Sequence, residues 1–366
     1  MDSVEIKSDV LKYAIQRYDR KILARIPDKS MRVVLPHYEQ TAAGYYRLIV
    51  PLIELKSQGF CEVIFREECE GQEEESLNWA SIINLGRIND EETAAITFSL
   101  QRYGKKIVID QDDYPEAVSQ IDNVRIQEAW TYDKIEVNQK IIQYCDVLTV
   151  SVPFLKEKYS SIRKGPIVVL PNQVDALNVR WNFPRIDNGD KTVIGWLAGP
   201  SHLADSEFLS RIVTKAMDAN PNIIFKSVGL IDEWMFDLPR ERAKLKPGKF
   251  QLKKYPEMMA DMDIGLAPLI ESEFNYGKSD LKYLEYVMAG CLPIVSDVGP
   301  YQHLPDAVTI KCKTEDDWVA AIIEMAENKE KRHKYFGKAM RYVVNNRTIY
   351  NTADKWYNAL KQALED

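Results

Sequence analysis

Short, uninterrupted apolar runs recur along this 366-residue chain, with amphipathic stretches between them. Residues 31–36, 62–65, 82–85, 106–110, 147–150 and 167–171 are too brief for buried helices and rich in Val and Ile. Such runs are what strands look like when both faces are covered. Helical patterns over 45–58 and 132–144 separate several of them, and parallel neighbours need a crossover of that kind. A loop rich in Asn, Asp, Pro and Gly (178–190) precedes a second series. Its strands are 192–196, 223–229, 264–268 and 292–296, accompanied by helices around 205–218, 279–289, 315–345 and 350–364. The fold class expected is α/β, with two doubly wound, Rossmann-like domains facing a cleft. Ligands in such sheets bind beyond the carboxyl ends of the strands, and the cleft between two domains is the default site.

Composition narrows the function classes. Net charge is −7; residues 1–180 carry 23 Lys/Arg against 28 Asp/Glu and the remainder 25 against 27, so neither half is a basic module. Five scattered cysteines, Cys61, Cys69, Cys145, Cys291 and Cys312, with no Cys-x-x-Cys pair, fit reduced thiols and no metal cluster. No run approaches the ~18 apolar residues of a membrane span, and the N-terminus lacks a secretory pattern, so a cytoplasmic location is expected. Residues 1–30 form a helical pattern, apolar at Leu11, Ile15, Tyr18, Ile22 and Ile26 and basic between, which docks on the following domain or offers a peripheral surface to a membrane or polyanion. The acidic cluster at Glu67, Glu68, Glu70, Glu73, Glu74 and Glu75 reads as a solvated loop.

The densest chemistry lies in 274–296. A polar loop enters a helix at Ser279 that stops at Gly290 and feeds a buried strand. Ser279 is the expected N-cap, and a helix start offers free N–H groups and a positive dipole end to an anion. Lys278 and Lys282 are four apart, on one side of that turn, and Glu285 follows three residues on. The pattern fits a phosphate-facing helix start with a carboxylate for sugar hydroxyls; an amphipathic helix with a Lys–Glu pair fits it equally.

Leu284-Glu285-Tyr286 followed by Ala289-Gly290-x-x-Pro293-Ile294-Val295-Ser296 resembles the donor-binding signature of the group-1 (family 4-like, retaining) GT-B glycosyltransferases. The resemblance implies that Glu285 holds the ribose of a nucleotide-sugar, with configuration retained and no metal required. The family often carries another Glu eight residues earlier. Gly277 stands there, and the sequence is closer to a variant with Lys-Ser-x-x-Lys-x-x-Glu-Tyr, in which Glu271 or Glu273 is left to replace the missing carboxylate. The loop from Gly195 to Gly199 and His202 matches a diphosphate-facing loop, with Trp196 and His202 where the family has Arg and Lys. Tyr255, with Leu252, falls in a stretch that frames the nucleobase. The resemblance also implies that helix 350–364 crosses back to the first domain. The expected domains are therefore 1–180, acceptor side; 190–347, nucleotide-sugar side; and 348–366, the returning helix.

On the same resemblance, Gly44 and Arg47 after the first strand face the phosphates or the acceptor. Asp110-Gln111-Asp112-Asp113 ends a buried strand, and Asp112 and Asp113 are the residues expected to enter the cleft as general base, hydroxyl binder or metal ligand. The expected catalytic set is Lys278, Lys282, Asp112 and Asp113; the donor-binding set is Gly195, Gly199, His202, Tyr255, Ser279 and Glu285. The donor is a UDP- or GDP-sugar, used as substrate with no tightly bound cofactor, and the acceptor a saccharide or other hydroxyl. A hydroxymethylated base in DNA, as in phage enzymes, is the alternative acceptor, supported by the basic run from Lys329 to Arg341. A sugar-nucleotide epimerase and a silent, donor-binding partner subunit are the alternatives from other classes.

Overall fold

The computed structural model describes Glu5, Lys7 and residues 31–120, 124–248 and 251–365. The helix expected over 1–30 lies outside the described residues, save for Glu5 and Lys7. Two six-stranded sheets organise the chain, and every pairing in them is parallel. The first holds β1 (Arg32–Leu35), β2 (Glu62–Phe65), β3 (Ile82–Leu85), β4 (Lys106–Gln111), β5 (Val147–Val150) and β6 (Ile167–Val169) in the order β2-β1-β3-β4-β5-β6. The second holds β7 (Thr192–Ala198), β8 (Ile223–Gly229), β9 (Ala243–Pro247), β10 (Ile264–Ala267), β11 (Leu292–Ser296) and β12 (Ile310–Cys312) in the order β12-β11-β10-β7-β8-β9. The doubly wound α/β expectation is met in both halves.

Every apolar run named from sequence is a strand. The sheet edges β9 and β12 are additional: β9 reads Ala-Lys-Leu-Lys-Pro with its lysines exposed, too polar to register as a buried run. The helices that place the site are α1 (Val50–Ser57), entered through a π-helical segment Gly44–Ile49, α2 (Tyr132–Tyr144), α3 (Leu203–Ala219), α4 (Leu281–Ala289), α5 (Glu315–Glu327), α6 (Lys329–Asn346) and α7 (Ile349–Glu365). The single helix expected over 315–345 is two, because the Asn328 side chain accepts from Lys331 N and starts a new helix.

Helix α7 leaves the second domain and packs its apolar face on the first. Ile349, Ala353, Trp356, Ala359, Leu360 and Ala363 share a core with Val33, Leu35, Leu52, Leu55 and Val108. Full burial of a large apolar side chain contributes about 1.5–3 kcal/mol, so this helix is a wall of the first domain's core. Among the described residues, no helix is long and apolar enough to cross a membrane.

The strand orders locate the functional loops. In the first sheet the order reverses between β1 and β3, and in the second between β7 and β10. Loops after those strands flank a crevice at the carboxyl edge. The segments concerned are 36–44 and 86–90 in one domain and 199–202 and 268–280 in the other.

Candidate functional site

A cleft of about 810 Å³ lies between the two sets of loops and is lined from both domains. The first domain contributes Gln40 to Ala43, Asp112, Asp113 and Asn172. The second contributes Gly199 to His202, Gly229 to Ile231, Leu252, Tyr255 and, from the start of α4, Lys278, Ser279, Lys282 and Glu285. A smaller recess of about 100 Å³, lined by residues of 37–48, 85–93, Asp110 and Asp112, adjoins the first-domain wall.

The helix start differs by one residue from the expected cap. Asp280, not Ser279, occupies the N-cap position, and its carboxylate is held by Arg347, with Nη2 to Oδ1 at 2.8 Å. Arg347 also donates to Asn172 O, and Asn172 Nδ2 donates to Ser279 Oγ at 2.7 Å. Ser279 therefore ties α4 to the end of β6 while still facing the cleft. Gly290 closes the helix at φ 89°, the left-handed conformation that favours glycine.

The two lysines converge on the cleft. Lys278 Nζ lies 3.5 Å from Ser201 Oγ and over the Phe274 ring, and Lys282 Nζ donates to Leu197 O. Burial lowers both lysines; Lys282, also repelled by Lys278, falls to about 8 despite Glu285 nearby. Glu285 is 4% exposed, and burial raises it against the opposing pull of Lys282 and Arg180. Its Oε1 accepts from Tyr46 O–H at 3.0 Å, and Tyr255 O–H donates to the same carboxylate. Tyr46 comes from the other domain, so Glu285 already links the two lobes. Arg180, on the interdomain segment, bonds Tyr46 and Asp175 and stacks on Tyr45 and Trp181.

His202 is buried, and its Nδ1 is 2.7 Å from Asp205 Oδ2. Burial, then Lys278 and Lys282, lower it to about 3, so the imidazole is neutral near pH 7. Across the cleft, Asp113 pairs with Arg87 at 2.8 Å and Asp112 with the same guanidinium at 3.6 Å, while Arg87 also holds Glu39. Burial pushes Asp112 well above the usual carboxylate range, with Arg87 opposing.

Several expected residues stand elsewhere. Gly195 lies inside β7, away from the cleft, and a Cβ there would come within 1.6 Å of Met262 Cε; it is glycine to admit that side chain. Arg47 is 1% exposed, forms a two-pronged ion pair with Asp110 (2.8 and 2.7 Å), donates to Leu170 O and to Asn172 Oδ1 (3.0 Å), and does not line the main cleft. It contributes to the wall of the smaller recess. Gly44 also lines that recess, where a Cβ would meet Glu39 O at 2.0 Å. Glu273 bonds Lys158 and Gln120 and Glu271 is exposed; neither lines the cleft, so neither replaces the missing carboxylate. A Cβ on Gly277 would fall 2.7 Å from Tyr114 Cβ and 3.0 Å from Tyr114 N, so the first domain's loop excludes a glutamate there. Tyr255 lines the cleft with its hydroxyl turned to Glu285. Arg87, Asp205 and Asn172 were not singled out from sequence. Asn172 and Arg87 each stand just past a buried strand, and Asp205 three residues after His202, so position was their one signal.

No protein-family model matches the sequence, and no curated protein matches it. Solved structures do match. Sucrose-phosphate synthase from Thermosynechococcus elongatus aligns with TM-score 0.61 at 14% identity over 92% of this chain and 99% of that one. Anabaena HepE, crystallised with UDP and glucose, aligns with TM-score 0.61 at 9% identity over 90% and 99%. TarM from S. aureus, solved with fondaparinux, α-GlcNAc-glycerol and UDP, aligns with TM-score 0.58 at 11% identity over 76% of this chain, which spans 55% of TarM. At these identities the likeness concerns architecture, and the chain has the two-domain α/β fold of the GT-B glycosyltransferases.

Proposed function

We propose that the protein transfers a glycosyl group from a nucleoside-diphosphate sugar, a UDP- or GDP-sugar, to a hydroxyl of a saccharide or glycoconjugate. The observation that carries this reading is the convergence of Lys278, Lys282 and Glu285 on one interdomain cleft at the topological switch of the second sheet. The fold neighbours crystallised with UDP support the donor class.

Glu285 is the acceptor for ribose hydroxyls, while Gly199, His202 and Ser279 contact the donor around the diphosphate. Breaking the bond between the anomeric carbon and the phosphate oxygen leaves a growing negative charge on that phosphate. Lys278 and Lys282, fixed beside the start of α4, meet that charge without reorganising. Asp112 and Asp113 face this site from the other lobe; raised and half-buried, Asp112 is suited to accept the proton of the incoming hydroxyl. The first-domain wall favours a neutral or polyhydroxylated acceptor over a polyanion. Glu39, Asp90, Asp112 and Asp113 lie there, with Arg87 paired and Arg47 neutralised by Asp110. That balance disfavours a nucleic acid.

A panel of UDP-, GDP- and ADP-sugars, assayed for nucleotide release with and without saccharide acceptors, tests the reading. One donor should be consumed slowly alone and faster with an acceptor, and Lys282→Ala should lower that rate by roughly 10²–10³. Accumulation of a free sugar or an isomerised donor, unaffected by any acceptor, would instead support the epimerase alternative.

A further inference from the structure

We propose that His202 becomes an imidazolium when a nucleotide diphosphate enters the cleft and donates its Nε2–H to a phosphate oxygen, with Asp205 as its positioning residue. The assignment rests on the nucleotide-sugar reading above and adds a proton-carrying group to it.

Asp205 is 1% exposed; its Oδ1 accepts from Ile270 N at 3.0 Å and Asn275 Nδ2 at 3.2 Å, while its Oδ2 faces His202 Nδ1 at 2.7 Å. A carboxylate surrounded by donors is an acceptor, so Nδ1 carries the hydrogen. The neutral ring then has a lone pair on Nε2, on a residue that lines the cleft. Directly before it, Ser201 Oγ is 3.5 Å from Lys278 Nζ, which puts the imidazole beside the lysines proposed to bind the diphosphate.

A lone pair facing a phosphate oxygen is repulsive, whereas an N–H facing it is a charge-assisted hydrogen bond. In the empty cleft, burial and the fields of Lys278 and Lys282 keep the ring uncharged. A diphosphate between these groups cancels the lysine fields and adds a negative charge of its own. Asp205 lies ready to compensate the imidazolium. Lys278 and Lys282 come from the facing loop and helix, Glu285 from one turn further along, and Asp112 and Asp113 from the opposite lobe. Binding therefore draws one proton from solvent onto Nε2. When the anomeric C–O bond breaks, its electron pair passes to the phosphate oxygen, whose new charge meets the Nε2–H. The proton returns to solvent after the nucleotide departs.

Nitrogen NMR of the full chain labelled with ¹⁵N-histidine reads this directly, since the sequence contains four histidines. UDP, GDP and ADP serve as probes just below neutral pH, with binding followed in parallel by calorimetry. His202→Gln assigns the resonance. We expect Nε2 at the unprotonated position in the free protein and at the protonated position with the bound nucleotide. Reading the ring itself separates this proton from any taken up by Asp112 or Glu285. Asp205→Asn should still bind nucleotide but leave the ring neutral. His202→Gln should lower kcat roughly 10²-fold with a smaller change in KM. Nucleotide bound with Nε2 still unprotonated would overturn this assignment alone. No binding of any of the three nucleotides would overturn the donor reading and this assignment together.

Discussion

Lys282 carries its charge at a cost. Its folded value of about 8 lies below the ordinary 10.5, so below pH 8 the group is protonated in both folded and unfolded states and the penalty for burying the charge is fully present. As pH rises from about 8 toward 10.5 the folded protein sheds that proton first, and the penalty is relieved. Nucleotide binding has the opposite dependence, because a diphosphate needs the ammonium. Affinity for UDP or GDP is expected to fall as pH passes 8, by up to about tenfold per pH unit, and Lys282→Arg should flatten that fall in a calorimetric pH series. Gly195 makes the complementary case. The family likeness drew it into the phosphate loop, but its missing Cβ makes room for Met262. Gly195→Ala should destabilise the fold by about 1–3 kcal/mol through overpacking, measured by denaturant melts, with nucleotide affinity unchanged. Lys278, Lys282 and Glu285 were legible because they lie within eight residues, on the loop that enters one helix and on its first turns. The partners Tyr46 and Arg87 were not, since each meets its site from a distant element; Asp205, three residues after His202, lies close in sequence, but nothing local tells its carboxylate from a solvated one at a helix start.

Helix α4 shows how an element holds such side chains in register. Its N-cap carboxylate, Asp280, is pinned by Arg347, which follows α6 and also grips Asn172 O at the end of the first domain. One guanidinium thus fixes the helix start, the end of β6 and the crossing into α7. Arg347→Ala leaves Asp280 buried without its cation and should cost about 3–5 kcal/mol. A double change, Arg347→Met with Asp280→Asn, should recover part of that loss in urea denaturation. Element boundaries were readable where periodicity was strong, as for α2 and the buried strands. They were lost where a single side chain decides: Asn328 restarts a helix that apolar spacing alone would run through. The edge strands β9 and β12 escaped notice because an edge alternates or shortens and lacks the doubly covered apolar run.

At the scale of the whole molecule, the cleft belongs to neither domain. The second supplies lysines and a helix start; the first supplies Asp112, Asp113 and the Tyr46 hydroxyl that meets Glu285. Helix α7 makes the two inseparable by completing the first domain's core from the far end of the chain. The α/β class and the two-sheet plan followed from the rhythm of apolar runs, since each run must be covered on both faces. Why glycine stands at 277 did not follow, because it depends on how close Tyr114 approaches from the other lobe. The central claim is that the α4 start and Glu285 grip an activated sugar by its nucleotide. Its most direct test is calorimetric titration of UDP- and GDP-sugars into the wild type and Glu285→Ala, with thermal melts as a control for folding. Saturable binding of one donor by the wild type is expected, with a loss of about 1.5–3 kcal/mol, roughly ten- to a hundredfold, in the variant. Equal affinity in the two proteins, or no heat with either donor, would contradict it.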